Sequence, residues 1–349
     1  MQIMTLNKDF VPCGQAMLRY IDLTWHRKYY ETGQFKIQIL SRDYIKDMAY
    51  IYTKDRPELG IVQKIEYSED SQKMIISGYF LEKILADKII YPTFDMYGTR
   101  TKFVVEAVKK FKGDIPNLEM GTILDDSKEE KIQKQETGSC LDKVAHETLA
   151  IEQKAYKLRY DYLKNKMYFD IWQGVDRTQS QSKNNFVIFS RNFKNIKEVK
   201  ATSDTSNYKN YFVIAGTGEG EQRIIETLDL SNGGYKKEVF IDARNEKFDK
   251  EKQTLEEYKK TLVQKGIEKS KNYAEIENIE FDTINNGKSF EYMKDFDLGD
   301  KCDIVISNLR KSYESRIIEV LETWNSNEHR ITLTFGNKIP TFFEKVRLQ

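Results

Sequence analysis

The sequence contains few of the residues that build cross-links, metal sites or active sites. Its 349 residues include 3 Cys and 3 His. They are Cys13, Cys140, Cys302, His26, His146 and His329. The cysteines form no Cys-x-x-Cys pair, and the histidines are equally scattered. The sequence therefore predicts no disulfide framework and no metal site, because both need ligands at short, regular spacing.

Long apolar runs and an excess of charge are also absent. No stretch approaches the roughly 20 apolar residues that span a bilayer. Residues 1–10 lack the basic head and apolar core of a signal peptide. The 56 Lys and Arg residues balance 55 Asp and Glu residues, for a formal charge of +1. We therefore expect no membrane span, no sequence-specific nucleic acid as a partner, and synthesis in a cytoplasm.

Aromatic residues, in contrast, are frequent. The chain has 21 Tyr and 19 Phe but only 5 Pro, within an ordinary balance of 39% hydrophobic and 32% charged residues. Aromatic side chains suit half-buried pleated surfaces, so this composition favours strands. The length allows two or three domains. We predict a β-dominated α+β fold.

The first hundred residues have the pattern of antiparallel strands. Residues 17–30 and 35–40 flank a turn at Gly33, and residues 61–67 and 73–77 form a second pair. Within residues 35–40 every second residue is apolar, which indicates one buried face. We expect a small antiparallel β-barrel over residues 1–100, completed by a returning strand near 210–215.

The middle of the chain mixes helices and strands. Apolar residues at helical spacing follow Thr99 and Ser139, and each of these residues is a plausible helix cap. Residues 112–138 are polar and predict a solvated loop, whereas residues 155–172 contain two alternating strands. We assign residues 101–209 to an inserted α+β domain.

Three glycines, Gly216, Gly218 and Gly220, superficially match a dinucleotide fingerprint. In that motif the third glycine stands three places after the second, and here Glu221 occupies that place. Glu219 and Glu221 would also put carboxylates where phosphate must bind. A P-loop motif is absent from the sequence. We interpret the glycines as parts of a structural loop, and predict no catalytic residue, no cofactor and no metal.

The last third of the chain completes the predicted organisation. Residues 210–272 contain the glycine loop, a strand and a charged helix, and we treat them as a connecting region. Residues 273–349 again show short alternating strands. We expect them to form a second antiparallel β-barrel, similar to the first and not sharing a sheet with it.

Several motifs recur in the order of a known family. The first are residues 23–30, 33–35 and 77–85, and the later ones are 216–223, 235–244, 296–300 and 333–336. In this order, over nearly the whole chain, they resemble siphophage tail hub proteins. These baseplate hub or tail-associated proteins are similar to the barrel-containing hub of contractile phage tails.

The resemblance implies a structural component of a bacteriophage or prophage tail tip and not an enzyme. The implied assembly is a homotrimeric baseplate hub, in which two barrels per chain match a hexameric tail ring. The implied partners are further copies of the chain, the distal tail protein and tail tube ring, the tape measure protein, and tip or receptor-binding fibre proteins. The protein would be made in the bacterial host cytoplasm and end at the virion tail tip.

Two alternatives belong to other classes. One is a glycan-binding tail component that contacts the host cell wall. The other is a carbohydrate-active enzyme, since Trp, Tyr and acidic residues can line a sugar cleft. The sequence lacks a Gly-x-Ser-x-Gly elbow and a His-Glu-x-x-His motif, so no local pattern supports the enzyme.

Overall fold

A computed structural model describes residues 1–14, 16–17, 19–248, 253–284, 290–325 and 328–336. The helices are α1 (Arg100–Phe111), α2 (Leu141–Ile151) and α3 (Leu255–Ser270). The strands are β1 (Met4–Leu6), β2 (Asp22–Lys28), β3 (Gln34–Leu40), β4 (Tyr50–Tyr52), β5 (Leu59–Ser68), β6 (Lys73–Phe80), β7 (Phe94–Gly98), β8 (Leu118–Met120), β9 (Ile132–Glu136), β10 (Ala155–Asp161), β11 (Lys166–Trp172), β12 (Ile188–Ser190), β13 (Ile196–Asp204), β14 (Tyr211–Ala215), β15 (Ile225–Asp229), β16 (Glu238–Asp242), β17 (Ile276–Thr283), β18 (Lys301–Ile306), β19 (Lys311–Asn325) and β20 (His329–Gly336). The predicted β-dominated α+β class, with mostly antiparallel sheets, is confirmed.

One large sheet joins the two ends of the chain. Its order is β1-β4-β5-β6-β3-β2-β19-β20-β17-β13, and β18 links β12 to β19. The other sheets are β10-β11-β8, β15-β14-β16 and the pair β7-β9. The large sheet therefore contains strands from residues 1–100, from residues 273–336 and from the predicted insertion.

The N-terminal hairpins form as predicted. In the β2–β3 pair, Leu23 lies opposite Ile37 and Trp25 opposite Phe35, and all four side chains are buried. The β5–β6 hairpin is also present, but β6 continues through Gly78, where we expected it to end. A Cβ on Gly78 would lie 1.8 Å from a backbone oxygen of β5, so this close approach requires glycine.

The two terminal segments share a sheet, which corrects the expectation of two separate barrels. Strand β2 pairs with β19 along seven residues of each, and within the described residues neither half forms a closed barrel. Alternation shows which face a strand buries, but it leaves open which neighbouring strand it pairs with. Each half nevertheless has its own core, around Trp25 and Phe35 in one and Phe281 and Phe335 in the other.

The returning strand expected near 210–215 is also wrong. This segment is β14, which pairs with β15 and β16 in a small separate sheet. Helix α3 covers one face of that sheet, where Phe212 and Ile214 are buried with Tyr258 and Leu262. Because β15 is close in sequence, pairing with it orders less chain than a return to the first barrel.

The inserted region forms a layer of helices on a sheet. Thr99 caps α1 by accepting a hydrogen bond from the Lys102 amide at 3.1 Å, as predicted. Cys140, one residue later than predicted, precedes α2. The expected polar loop at 112–138 contains the short strands β8 and β9, whose few buried residues leave a weak pattern. Strands β12 and β13 leave this region to pair with β18 and β17.

Candidate assembly surfaces

The large sheet contains two four-stranded units that follow each other. The first unit is β5-β6-β3-β2, and the second unit is β19-β20-β17-β13. Every neighbouring pair in this eight-stranded run is antiparallel. The strand directions of the first unit are therefore repeated in the second.

The two units also have the same register. A row of directly opposed residues crosses the first unit at Val62, Gly78, Phe35 and Trp25. The corresponding row crosses the second unit at Ile317, Phe335, Ile279 and Ala201. In both units a β-bulge follows the row at once, before Lys64 in β5 and before Glu319 in β19. The two units thus share strand order, strand direction and the position of this bulge, with β13 of the second unit coming from the predicted insertion.

The seam, which we define as the β2–β19 pairing, joins the units through charged side chains. Glu319 lies opposite Lys28, and His26 is 2.8 Å from the Glu319 carboxylate. Burial alone would raise the pKa of Glu319, but bonding to His26 and the charge of Lys28 hold that pKa below its usual value. This pair lies on the half-exposed face of the seam.

A second ion pair lies on the buried face of the seam. The Glu322 side chain is 0% exposed, and its carboxylate accepts hydrogen bonds from Arg56 at 2.6 Å and from the His329 ring at 3.1 Å. The Arg56 guanidinium also stacks over the Trp324 ring, 5.8 Å from its centroid. Burial raises the pKa of Glu322, but the bonds from Arg56 and His329 outweigh it and lower that pKa.

Arg27 extends this buried network along β2. Its guanidinium donates to Glu58, to Asp297 and to the Tyr292 hydroxyl. Glu58 also accepts a hydrogen bond from the Trp25 ring nitrogen at 3.1 Å. The network fixes the relative position of the two units, since every charge in it needs its partner.

Sequence reasoning missed this network. The sequence signal that could have revealed it is a charged residue on the strand face where every other residue is apolar. In β2, Leu23 and Trp25 are followed on the same face by Arg27, and in β19 Glu322 stands between Val320 and Trp324. A buried charge needs a partner, so opposite charges on the core faces of β2 and β19 indicate that the two strands lie close together.

Side chains from the same chain bond to the backbone of the glycine loop, as expected for a structural loop. Gly218 and Gly220 have φ of +103° and +54°. The Thr217 amide donates to the Tyr258 hydroxyl at 2.8 Å, and Arg223 donates to the Gly216 carbonyl at 3.0 Å. The Gly216 amide also donates to the Ile224 carbonyl at 2.8 Å, so the amides of Gly216 and Thr217 are already used and do not face a phosphate.

An exposed ion cluster closes the same loop. Asp242 accepts hydrogen bonds from Arg223 and Arg244, and these bonds hold its pKa well below the usual range. The Asp242 side chain is 44% exposed, so solvent screens the pair. We interpret the cluster as structural.

The scattered cysteines and histidines stay apart in the fold. His26 bonds to Glu319 at the seam, His329 on β20 bonds to Glu322, and His146 lies 3.3 Å from Asp142 within α2. Within the described parts of the chain, no group of three His, Cys, Asp or Glu side chains is placed to hold a metal ion. In the same parts, no helix is both long enough and apolar enough to cross a membrane.

Comparison with known proteins identifies the family. The family model described as Siphovirus ReqiPepy6 Gp37-like protein matches residues 2–337. The chain belongs to this siphovirus family. Among curated proteins, none matches the chain.

Solved tail proteins share the fold. The tail protein from Neisseria meningitidis MC58 is 12% identical, with a TM-score of 0.60 over 97% of this chain and 96% of that one. A prophage tail protein from Listeria monocytogenes EGD-e is 12% identical, with a TM-score of 0.59 over 100% and 98%. The 43 kDa tail protein of prophage MuSo2 from Shewanella oneidensis is 15% identical, with a TM-score of 0.59 over 96% and 98%.

These findings confirm two predictions from the sequence. The chain belongs to a siphovirus family, and it has the fold of solved tail proteins.

Proposed function

We propose that the protein is the homotrimeric baseplate hub of a siphophage or prophage tail. In this role it sits at the tail tip and joins the tail tube and distal tail ring to tip or fibre proteins. The proposal goes beyond tail family membership to a symmetry, a position and a set of partners.

The equivalence of the two sheet units carries the proposal. A ring of three chains can dock on a sixfold tube only if each chain offers two similar surfaces. The units β5-β6-β3-β2 and β19-β20-β17-β13 provide such a pair, with the same strand order and register. The network of Arg27, Arg56 and Glu322 holds them at one angle, which a rigid ring needs.

In this proposal, different parts of the chain contact different partners. Residues 1–100 and 273–336, together with β12 and β13, supply the ring, which contacts the distal tail protein on one side and encloses the tape measure protein. The rest of residues 101–209 and residues 210–272 supply surfaces for tip or receptor-binding fibre proteins. Residues 210–272 have a core of their own, which suits a part that projects from a ring. The helices of the 101–209 region instead pack in one core with Leu6, Leu59 and Leu81 of the first segment.

Localisation on the particle tests this function. We would raise antibodies against the purified chain, label intact virions with gold, and image them by electron microscopy. Label confined to the tip of the tail is expected. Label along the tube or on the capsid would contradict the hub.

A further inference from the structure

Strands β14, β15 and β16 and helix α3 form a small unit, which we call the α3 unit. Its buried centre contains Phe212, Ile214, Tyr258 and Leu262. The apolar side chains described around this centre all lie between Phe212 and Tyr273 in the sequence. Helix α3 therefore completes its hydrophobic packing on its own sheet.

Two short segments connect the α3 unit to the large sheet. Strand β13 leads to the unit and β17 leads back, and the last residue of β13 lies opposite the first residue of β17. Beyond the sheet, the Lys209 amide donates to the Tyr273 carbonyl at 3.0 Å, so the two connections stay side by side. Residues 205–209 and 271–275 thus form a two-chain neck. A neck at one point of a domain can act as a hinge.

Charged and amide side chains make the contact between the α3 unit and the inserted region. Gln264 accepts a hydrogen bond from Arg100 at 2.6 Å and donates one to Glu130 at 3.3 Å. Glu268 pairs with Lys134 at 2.7 Å. Among the described residues, the two hydrophobic cores on either side of this contact share no side chain. Domains that meet through a polar contact of this kind commonly move relative to each other.

The contact also buries cationic groups at a cost. Arg100 is 4% exposed, and its Nε has no hydrogen-bond acceptor among the described residues. Lys271 directly follows α3, and burial together with the charge of Arg100 lowers its pKa to about 8. A buried donor without an acceptor and two cations held close together are both unfavourable. These costs offset part of the attraction between Lys134 and Glu268.

We propose that the α3 unit is hinged and swings away from the inserted region about the two-chain neck. The pairs Lys134–Glu268 and Arg100–Gln264 hold the closed state. In the open state both cores stay intact, water reaches Arg100, and the unit carries Phe240, which is 56% exposed on β16, to a new position. The motion belongs to the single chain, so it does not depend on the hub proposed above.

Charge sets the balance between the closed and open states. The Glu268 carboxylate faces three cations, Lys134, Lys265 and Arg100, which hold its pKa below the usual value although burial raises it. Salt screens this attraction but leaves the apolar packing inside each core intact. High salt and a cation in place of Glu268 should therefore both favour the open state.

The distance between two spin labels tests the hinge. We would place the labels at Lys260→Cys on α3 and Lys109→Cys on α1, in a full chain carrying Cys13→Ser and Cys140→Ser, and measure by pulsed electron paramagnetic resonance. Both labelled positions are exposed, and the remaining Cys302 is buried. One main distance is expected in about 0.05 M NaCl, and a second, longer distance should appear in about 1 M NaCl.

A change of charge at the contact should have the same effect in low salt. In Glu268→Lys a cation stands beside Lys134, so the population with the longer distance should rise about tenfold. The matched control is Glu256→Lys, which makes the same change of charge at an exposed position of α3. This control should keep the distances of the labelled parent chain.

The pattern across salt and variants decides the proposal. A longer distance in high salt and in Glu268→Lys, without one in Glu256→Lys, supports the hinge. A single distance under all conditions overturns it, and so does an equal change in the two variants. If Glu268→Lys does not fold, the salt series on the labelled parent chain decides alone.

Discussion

Two ion clusters pair a carboxylate with a guanidinium in different surroundings. At the seam, Glu322 is fully buried with Arg56, whereas at the glycine loop Asp242 is 44% exposed with Arg244. A buried charge that loses its partner keeps its desolvation cost, but an exposed one returns to water. The comparison teaches that the seam specifies how the two sheet units meet, while the loop cluster only shapes its own turn.

Removing the buried carboxylate should have the largest effect. Glu322→Ala leaves Arg56 without its main partner between two core strands. We expect a loss of about 3–5 kcal/mol in the free energy of unfolding, measured by urea denaturation.

Glu319→Ala is the matched control for this variant. It removes a carboxylate from the same strand, but from the face where the side chain is 30% exposed. We expect a loss of at most about 1 kcal/mol. Equal losses from the two variants would show that burial does not distinguish the faces of the seam.

Glu82 is a buried acid that has no cationic partner among the described residues, and it can be compared with Glu322. Burial raises the pKa of Glu82 from 4.5 to about 7, although its carboxylate accepts hydrogen bonds from its own amide and from the Leu158 amide, the latter at 3.0 Å. Because the folded-state pKa lies above the unfolded-state value, the contribution of Glu82 is fully present below pH 4.5. It falls as pH rises toward 7, by at most about 1.4 kcal/mol per pH unit.

Glu82→Gln should remove this pH dependence. The amide oxygen can still accept from Leu158, so the variant should be more stable than the parent above pH 7 by about 2 kcal/mol. Thermal unfolding at pH 4.5 and pH 8 measures the difference. A variant with the same pH profile as the parent would show that Glu82 titrates normally.

Disrupting the exposed cluster should have a small effect. Asp242→Asn keeps the shape of the side chain and gives up only solvent-screened pairs with Arg223 and Arg244. We expect the melting temperature to stay within about 2 °C of the parent. A loss as large as that of Glu322→Ala would mean that the loop cluster is also essential to the fold.

Nucleotides should have no effect on thermal stability. The glycine loop bonds to Tyr258 and Arg223, so NAD, NADP, ATP and GTP should leave the melting temperature unchanged. A saturable rise with any of these nucleotides would contradict the structural interpretation of Gly216, Gly218 and Gly220.

The sequence predicted local features better than long-range ones. The β2–β3 hairpin and helix α1 follow from alternation, a turn and the Thr99 cap, all within a few residues. The pairing of β2 with β19 joins residues about three hundred positions apart, and no local pattern encodes it. The placement of β14 failed for the same reason, since its alternation fits either sheet.

The sequence predicted that two similar surfaces exist, but not which strands form them. The expectation of two similar halves followed from the family resemblance, and the equivalent rows at Phe35 and Ile279 agree with it. The charges that lock the halves were visible as Arg27 and Glu322 on apolar faces. Their partners, Asp297 for Arg27 and Arg56 for Glu322, lie on loops. Loops carry no periodicity from which such a contact could be read.

The symmetry of the assembled protein tests the central claim most directly. A cryo-electron microscopy reconstruction of the purified full chain should show a ring of three copies containing six similar sheet units around one axis. A closed assembly with any other number of copies, or a trimer in which the two units of each chain take unrelated positions, would contradict the hub.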